Sequence, residues 1–366
     1  MTRCCGYLVV FVLMSLTAAP RSVVLAQGQD SVASGFGKVT FNGLLQVWYL
    51  DNAPEFDQTF RIRRTELRFS GTFGDHSKWT VMIDPSRALN LFEDSTLVDD
   101  SIFVPTLEVN QSSRILQDAL ITVEFGPSFN VDVGQRKVPL SLVGLQSSAE
   151  LKTVERALMY SDRARGGDFG DVRDIGVMAY GAITKHVGYQ AGLFNGLGEN
   201  QNNVTTKDEL ALAARVVARP DWLRGFALGA SGGVNGGPDT GERRRRPFAP
   251  RWRLGGEGLF KRGRWTAQSE IMGGRDDHRK GLGTYVLAAY HITSIWEVVG
   301  QVDFFDPDLS QNDNRFTTYE LDFLLGVNFY LRENHLKFQA NPVLKTFGPE
   351  GPASRVTFLM NFQASW

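Results

Sequence analysis

The sequence predicts an all-β fold, a transmembrane antiparallel β-barrel of about 16 strands, and three observations carry that prediction. The chain ends on a two-faced strand: Val356, Phe358, Met360, Phe362, Ala364 and Trp366 share one side, and only Leu359 breaks the alternation. Segments of roughly ten residues with the same period-two pattern recur from Val39 to Trp366, and no apolar run after the amino-terminal segment is long enough for a membrane helix. Tight turns alternate with longer polar loops, as in barrels with short periplasmic turns and long outer loops.

The elements follow in order. Residues 1–26 read as a secretory signal peptide: Arg3 precedes an apolar run from Tyr7 to Met14, and small residues around Val24, Leu25 and Ala26 supply a cleavage site. That run is shorter than the ~20 residues a spanning helix needs, and Pro20 and Arg21 follow it. Residues 27–366 then form the barrel domain. Strands are expected at 39–50, 60–73, 78–84, 115–125, 128–137, 173–183, 186–194, 209–219, 225–234, 251–261, 264–272, 282–292, 295–305, 316–329, 335–343 and 355–366. With the amino end in the periplasm, the long connections at 85–114, 138–172, 195–208, 235–250, 273–281, 306–315 and 344–354 all fall outside.

The strand faces sort by polarity. Thr65, Leu67, Phe69, Gly71 and Phe73 oppose Arg64, Glu66, Arg68 and Ser70, and a lysine or arginine facing lipid at the midplane costs ~2–4 kcal/mol, so the charged face lines a wet interior. Inward phase selects Arg64, Arg68, Arg136, Arg215, Arg253 and Lys337, together with Glu66, Asp118, Glu124, Glu257, Glu270, Glu297, Asp303 and Asp322. That wall is mixed in sign. Arg136 either adds positive charge or pairs with Asp132. Most tryptophans suit interfacial girdles, but Trp48 faces inward against the pattern.

The connection 138–172 stands apart. It lacks the dyad pattern, reads as helical around 148–160, and carries Lys152, Glu155, Arg156, Arg163 and Arg165. A loop so long is uncommon unless functional.

Both cysteines, Cys4 and Cys5, lie in the signal segment, so the remainder has no disulfide or thiolate metal site. No cofactor is expected. With 39 Lys+Arg against 40 Asp+Glu, no basic excess invites nucleic acid. A run at Arg243 to Arg246 reads first as a solvated loop face. The five histidines are scattered and share no motif with a serine and an acid, which argues against an enzyme.

Several pieces resemble the phosphate-selective porin O and P family: the stretch from Phe60 through Arg61, Arg63, Arg64 and Glu66 to Phe73, then Gln117-Asp118-Ala119, and Gly134-Gln135-Arg136-Lys137. Glu155-Arg156-Ala157, Arg173 to Val177 and Tyr189 to Gly196 continue the match. The resemblance implies a homotrimeric outer-membrane porin of a Gram-negative-type bacterium, whose third outer loop, here 138–172, folds inward and narrows the lumen. The expected function is passive diffusion of small hydrophilic solutes or ions through a pore lined by Arg64, Arg68, Arg136, Arg215 and Arg253 and constricted at Lys152, Glu155 and Arg156. The alternative is a phosphate- or polyphosphate-selective channel, although the dense lysine cluster of phosphate-selective relatives has no obvious counterpart. Outer-membrane lipids and the β-barrel assembly machinery, engaged through the strand ending in Trp366, are the expected partners, besides small anions or other hydrophilic solutes.

Overall fold

The structure is a computed structural model that describes residues 32–34, 37–53, 57–89, 91–98, 102–109, 115–160, 173–196, 210–235, 251–276, 279–310 and 318–366. The expected signal segment, Arg163, Arg165 and the Arg243 to Arg246 run lie outside the described residues.

The strands in chain order are β1 (Val32–Ser34), β2 (Gly37–Ala53), β3 (Asp57–Phe73), β4 (Ser77–Ile83), β5 (Leu91–Val98), β6 (Ile102–Val109), β7 (Leu116–Gly126), β8 (Phe129–Lys137), β9 (Arg173–Thr184) and β10 (Val187–Phe194). They continue as β11 (Ala211–Ala218), β12 (Phe226–Asn235), β13 (Arg251–Arg262), β14 (Trp265–Asp276), β15 (Arg279–His291), β16 (Trp296–Asp306), β17 (Glu320–Arg332), β18 (Leu336–Phe347) and β19 (Arg355–Ser365). Among them, β2 to β4 and β7 to β19 pair antiparallel with their neighbours in sequence, β4 pairs directly with β7, and β19 returns to β2. The result is a closed barrel of sixteen strands, each matching an expected segment within a few residues. Closure leaves no sheet edge, the condition for β-structure in lipid.

Differences from the expectation lie at the outer side. The connection expected at 85–114 carries a short 3-10 helix, Pro85–Leu89, and a separate hairpin of β5 and β6. Most of the loop expected at 273–281 is strand instead, because β14 and β15 stay paired as far as Asp276 and Arg279.

Alternation decides which side of each strand is wet. Phe60, Phe125 and Leu325 are each about two-thirds exposed or more on the outer surface, whereas Asn328 and Asn361 on the opposite face are fully buried. Ring pairs sit on the outer surface beside the short turns: Phe226 with Phe260, Trp265 with Tyr290, and Trp296 with Phe329, each 4.6 Å between centroids. Such aromatics suit the lipid–water boundary. The turn at Gly263-Arg264 needs a positive φ, and Gly263 adopts +60° without the penalty a Cβ would bring. At the seam, Trp366 exchanges backbone hydrogen bonds with Gly43, and its ring covers the space a side chain there would fill.

The segment expected to be helical around 148–160 is not one helix. It consists of a single helical turn, α1 (Leu142–Leu145), and two 3-10 turns at Ser148–Glu150 and Leu158–Tyr160. The reason is competition: the backbone N–H of Val154 donates to Asn341 Oδ1 at 2.7 Å and that of Leu158 to Asp303 Oδ2 at 2.7 Å. Side chains of the barrel wall take the donors that a continuous helix would use internally.

Candidate pore and its lining

A change of register supplies the first part of the site. Gln46 faces Arg64 and Val47 faces Ile62, so Arg63 is an extra residue, a β-bulge in β3. Phe60 and Ile62 point outward and are exposed, while Arg61, Arg63 and Arg64 gather over Trp48, their guanidinium carbons 5.1, 5.1 and 5.8 Å from its ring. Strict alternation carried through Arg63 names only Arg64. The signal that identifies the others is density: three arginines in four residues, Arg61 to Arg64, cannot all avoid lipid without a phase change.

Trp48 and Leu359, the two residues out of pattern, belong together. Both face inward and pack with Val154 and Val343 in one buried cluster. A second cluster joins Val143, Leu151, Leu158, Met159 and Tyr160 to the inner faces of β14 to β16, through Met272, Tyr285, Leu287, Ala289, Val299 and Phe305. Residues 138–160 therefore have an apolar seat on the inner surface of the barrel. Its burial is the main favourable term holding the segment there.

Polar contacts fix the position. Glu270 accepts from the backbone N–H groups of Leu142 and Val143 at 3.0 and 2.9 Å. Lys152 Nζ donates to Glu297 Oε1 at 2.7 Å, and Tyr330, Asn328 and His291 also surround that carboxylate. Lys337 Nζ donates to the carbonyls of Ala149 and Leu151, both at 2.8 Å. Gln46, Gln339 and Gln363 add further bonds to the same stretch of backbone.

The named basic residues fall into separate groups. Arg64 is buried and donates to Gln46 Oε1 at 2.7 Å. Glu155 lies 3.6 Å from Arg63, and Arg156 donates to the carbonyls of Val143 and Gln146. These residues meet at the Trp48 end of the segment. Arg68 lies elsewhere and shares Asp118 with Arg173, at 3.2 and 2.8 Å. Arg136 pairs with Asp132, its neighbour four residues earlier on the same strand, choosing the second of the two roles open to it. Arg215 reaches Glu257 across β12, where Gly229 leaves room for the carboxylate. Arg253 is buried and donates to the carbonyls of Trp252 and Arg275.

One cavity of about 330 Å³ opens between residues 155–158 and the wall. Arg61, Arg156 and Arg355 line it, as do Asp303, Asp322 and Lys345. Lys345 donates to Glu320 at 3.0 Å and to Asp322 at 3.1 Å. Lys345 is absent from the sequence-based selection because β18 extends past its expected end, which places Lys345 opposite Arg355, the first residue of the strand expected at 355–366.

Comparison with known proteins places this geometry. No curated protein sequence matches significantly. The family model for phosphate-selective porin O and P matches residues 48–348. Among solved structures, an anion-selective porin from Comamonas acidovorans superposes with a TM-score of 0.63 at 12% identity, covering 90% of this chain and 99% of that one. The outer membrane channel DcaP of Acinetobacter baumannii gives 0.59 at 12% identity, covering 92% and 99%. The trimer form of OmpT, an outer membrane protein of Vibrio cholerae, gives 0.55 at 10% identity, covering 90% and 99%. With a closed sixteen-stranded barrel, a lipid-compatible outer surface and a family match over most of its length, the chain belongs to the phosphate-selective porin O and P family and is an outer-membrane porin.

Proposed function

We propose that this porin is a general diffusion channel for small hydrophilic solutes, mildly anion-preferring, with its passage narrowed by the inward-folded part of the third loop, residues 138–160. The observation that carries the reading is the attachment of residues 138–160 to inner side chains of β14, β16 and β18, through Glu270, Glu297, Asp303, Lys337 and Asn341. A segment held in this way takes up lumen area at fixed height. Lys152, Glu155 and Arg156 then sit at the narrow part, with Arg64 nearby.

The charge pattern supports mild selectivity. A narrow, low-dielectric passage amplifies unbalanced wall charge. Arg68, Arg136 and Arg215 each have a carboxylate partner, so their fields are largely cancelled. The three arginines over Trp48 favour a second reading, a phosphate- or polyphosphate-selective channel.

The remaining parts of the proposal concern biogenesis and assembly. Residues 1–26 direct export and are removed, and the strand ending in Trp366 engages the β-barrel assembly machinery before the chain enters outer-membrane lipid. Three copies associate, a reading supported by the trimer form among the structural neighbours. No step of this function is catalytic.

The test is the reversal potential in a planar bilayer under a potassium chloride gradient, repeated with phosphate added. The expected result is a small anion preference without block by phosphate. Block of chloride current by phosphate would replace this reading with the second.

A further inference from the structure

One row of paired residues crosses four strands with its charges sorted by sign. Asp303 on β16 faces Asp322 on β17, Asp322 faces Lys345 on β18, and Lys345 faces Arg355 on β19. All four line the same cavity. Three strand spacings separate the ends of the row, about 14 Å along the wall. Arg61, beyond β19 and β2, extends the basic end into the same space.

We propose that this row is a binding subsite for dipolar solutes, small molecules that carry an anionic group and an ammonium group on one short chain. The inference rests on the channel reading above and names the solute class of that passage. Its support lies in the unused valences of the row. Asp303 and Asp322 are 4% and 7% exposed, yet each retains one carboxylate oxygen with no hydrogen-bond partner, Asp303 Oδ1 and Asp322 Oδ1. At the other end, Arg355 Nε is likewise buried and unpartnered. A buried polar atom left unsatisfied is costly, and a solute that supplies both a donor and an acceptor relieves both ends together.

A simple anion gains only half of this. Its charge is attracted to Arg355 and Arg61 but meets two carboxylates a short distance along the wall. A simple cation meets the reverse. A dipolar solute aligned along the row makes favourable contacts at both ends, with Lys345 holding Asp322 through a single oxygen and leaving the other oxygen available. The sequence could not reveal this row, because it depends on the register of three successive strand pairs.

The experiment measures block of potassium chloride current through the reconstituted porin by three probes of matched chain length. These are γ-aminobutyrate, which carries both charges, butyrate, which carries only the negative one, and n-butylammonium, which carries only the positive one. The expected result is an apparent affinity for γ-aminobutyrate about three- to tenfold above that for either single-charge probe, the size of one added exposed ion pair or slightly more. Because the comparison uses the unaltered protein, it does not depend on any variant folding. Arg355→Gln should bring γ-aminobutyrate down to the level of n-butylammonium, and Asp322→Asn should bring it down to the level of butyrate. Equal block by all three probes, or block by butyrate matching that by γ-aminobutyrate, would overturn the subsite. Open-channel conductance without any probe tests the channel reading separately, since its absence defeats that reading before the probes are compared.

Discussion

Two arcs of the barrel wall carry the same alternation of polar and apolar residues and use it differently. On β4 and β7 to β9, together with Arg68 of β3, inward polar groups satisfy one another: Lys78 with Glu124, Arg68 and Arg173 with Asp118, and Thr122 and Arg136 with Asp132. On β14 to β18, the inward groups turn to the segment 138–160, and part of the contact is apolar, through Tyr285, Leu287, Ala289 and Phe305. The first arc is a self-paired wall, stiff and electrostatically quiet. The second is a seat for a loop. The contrast shows that a lumen face need not be uniformly polar, because a loop covering it creates a small interior of its own.

The largest test of that contrast is Glu297→Ala. Glu297 is fully buried and accepts from Lys152, Tyr330 and Asn328, so its removal strands an ammonium group in the seat. Breaking a buried pair from one side costs about 3–5 kcal/mol, which should appear as a lower urea midpoint in detergent and as noisier, larger single-channel currents. Unchanged currents would mean that the segment does not limit conduction.

A smaller effect is expected from Gly283→Ala. The added Cβ would lie 2.6 Å from Met159 Cβ, and Met159 is completely buried. Overpacking of this kind costs about 1–3 kcal/mol, and relief requires the segment to shift. Altered conductance with the barrel still resistant to sodium dodecyl sulfate would locate the strain in the seat rather than in the wall.

The smallest effect should come from the self-paired arc. Lys78→Gln removes the ion pair with Glu124, whose two side chains are about half and one-third exposed. The loss should be within about 1 kcal/mol, with a reversal potential moved slightly toward cations. A loss as large as that of Glu297→Ala would erase the distinction between the two arcs.

What the sequence determined by itself is the barrel. Period two is local, so each strand declares its own wet and greasy faces, and the rhythm of short and long connections orders the strands around the ring. Tertiary structure decided what the wet face does. Leu359 and Trp48 looked like errors of pattern until Val154 came to rest on them. Arg61 and Arg63 entered the lumen only through a one-residue bulge, which shifts phase without any change of composition. The row from Asp303 to Arg355 exists only because three strand pairs are in register. Each of these depends on residues far apart in the chain, and no local periodicity encodes where such residues meet.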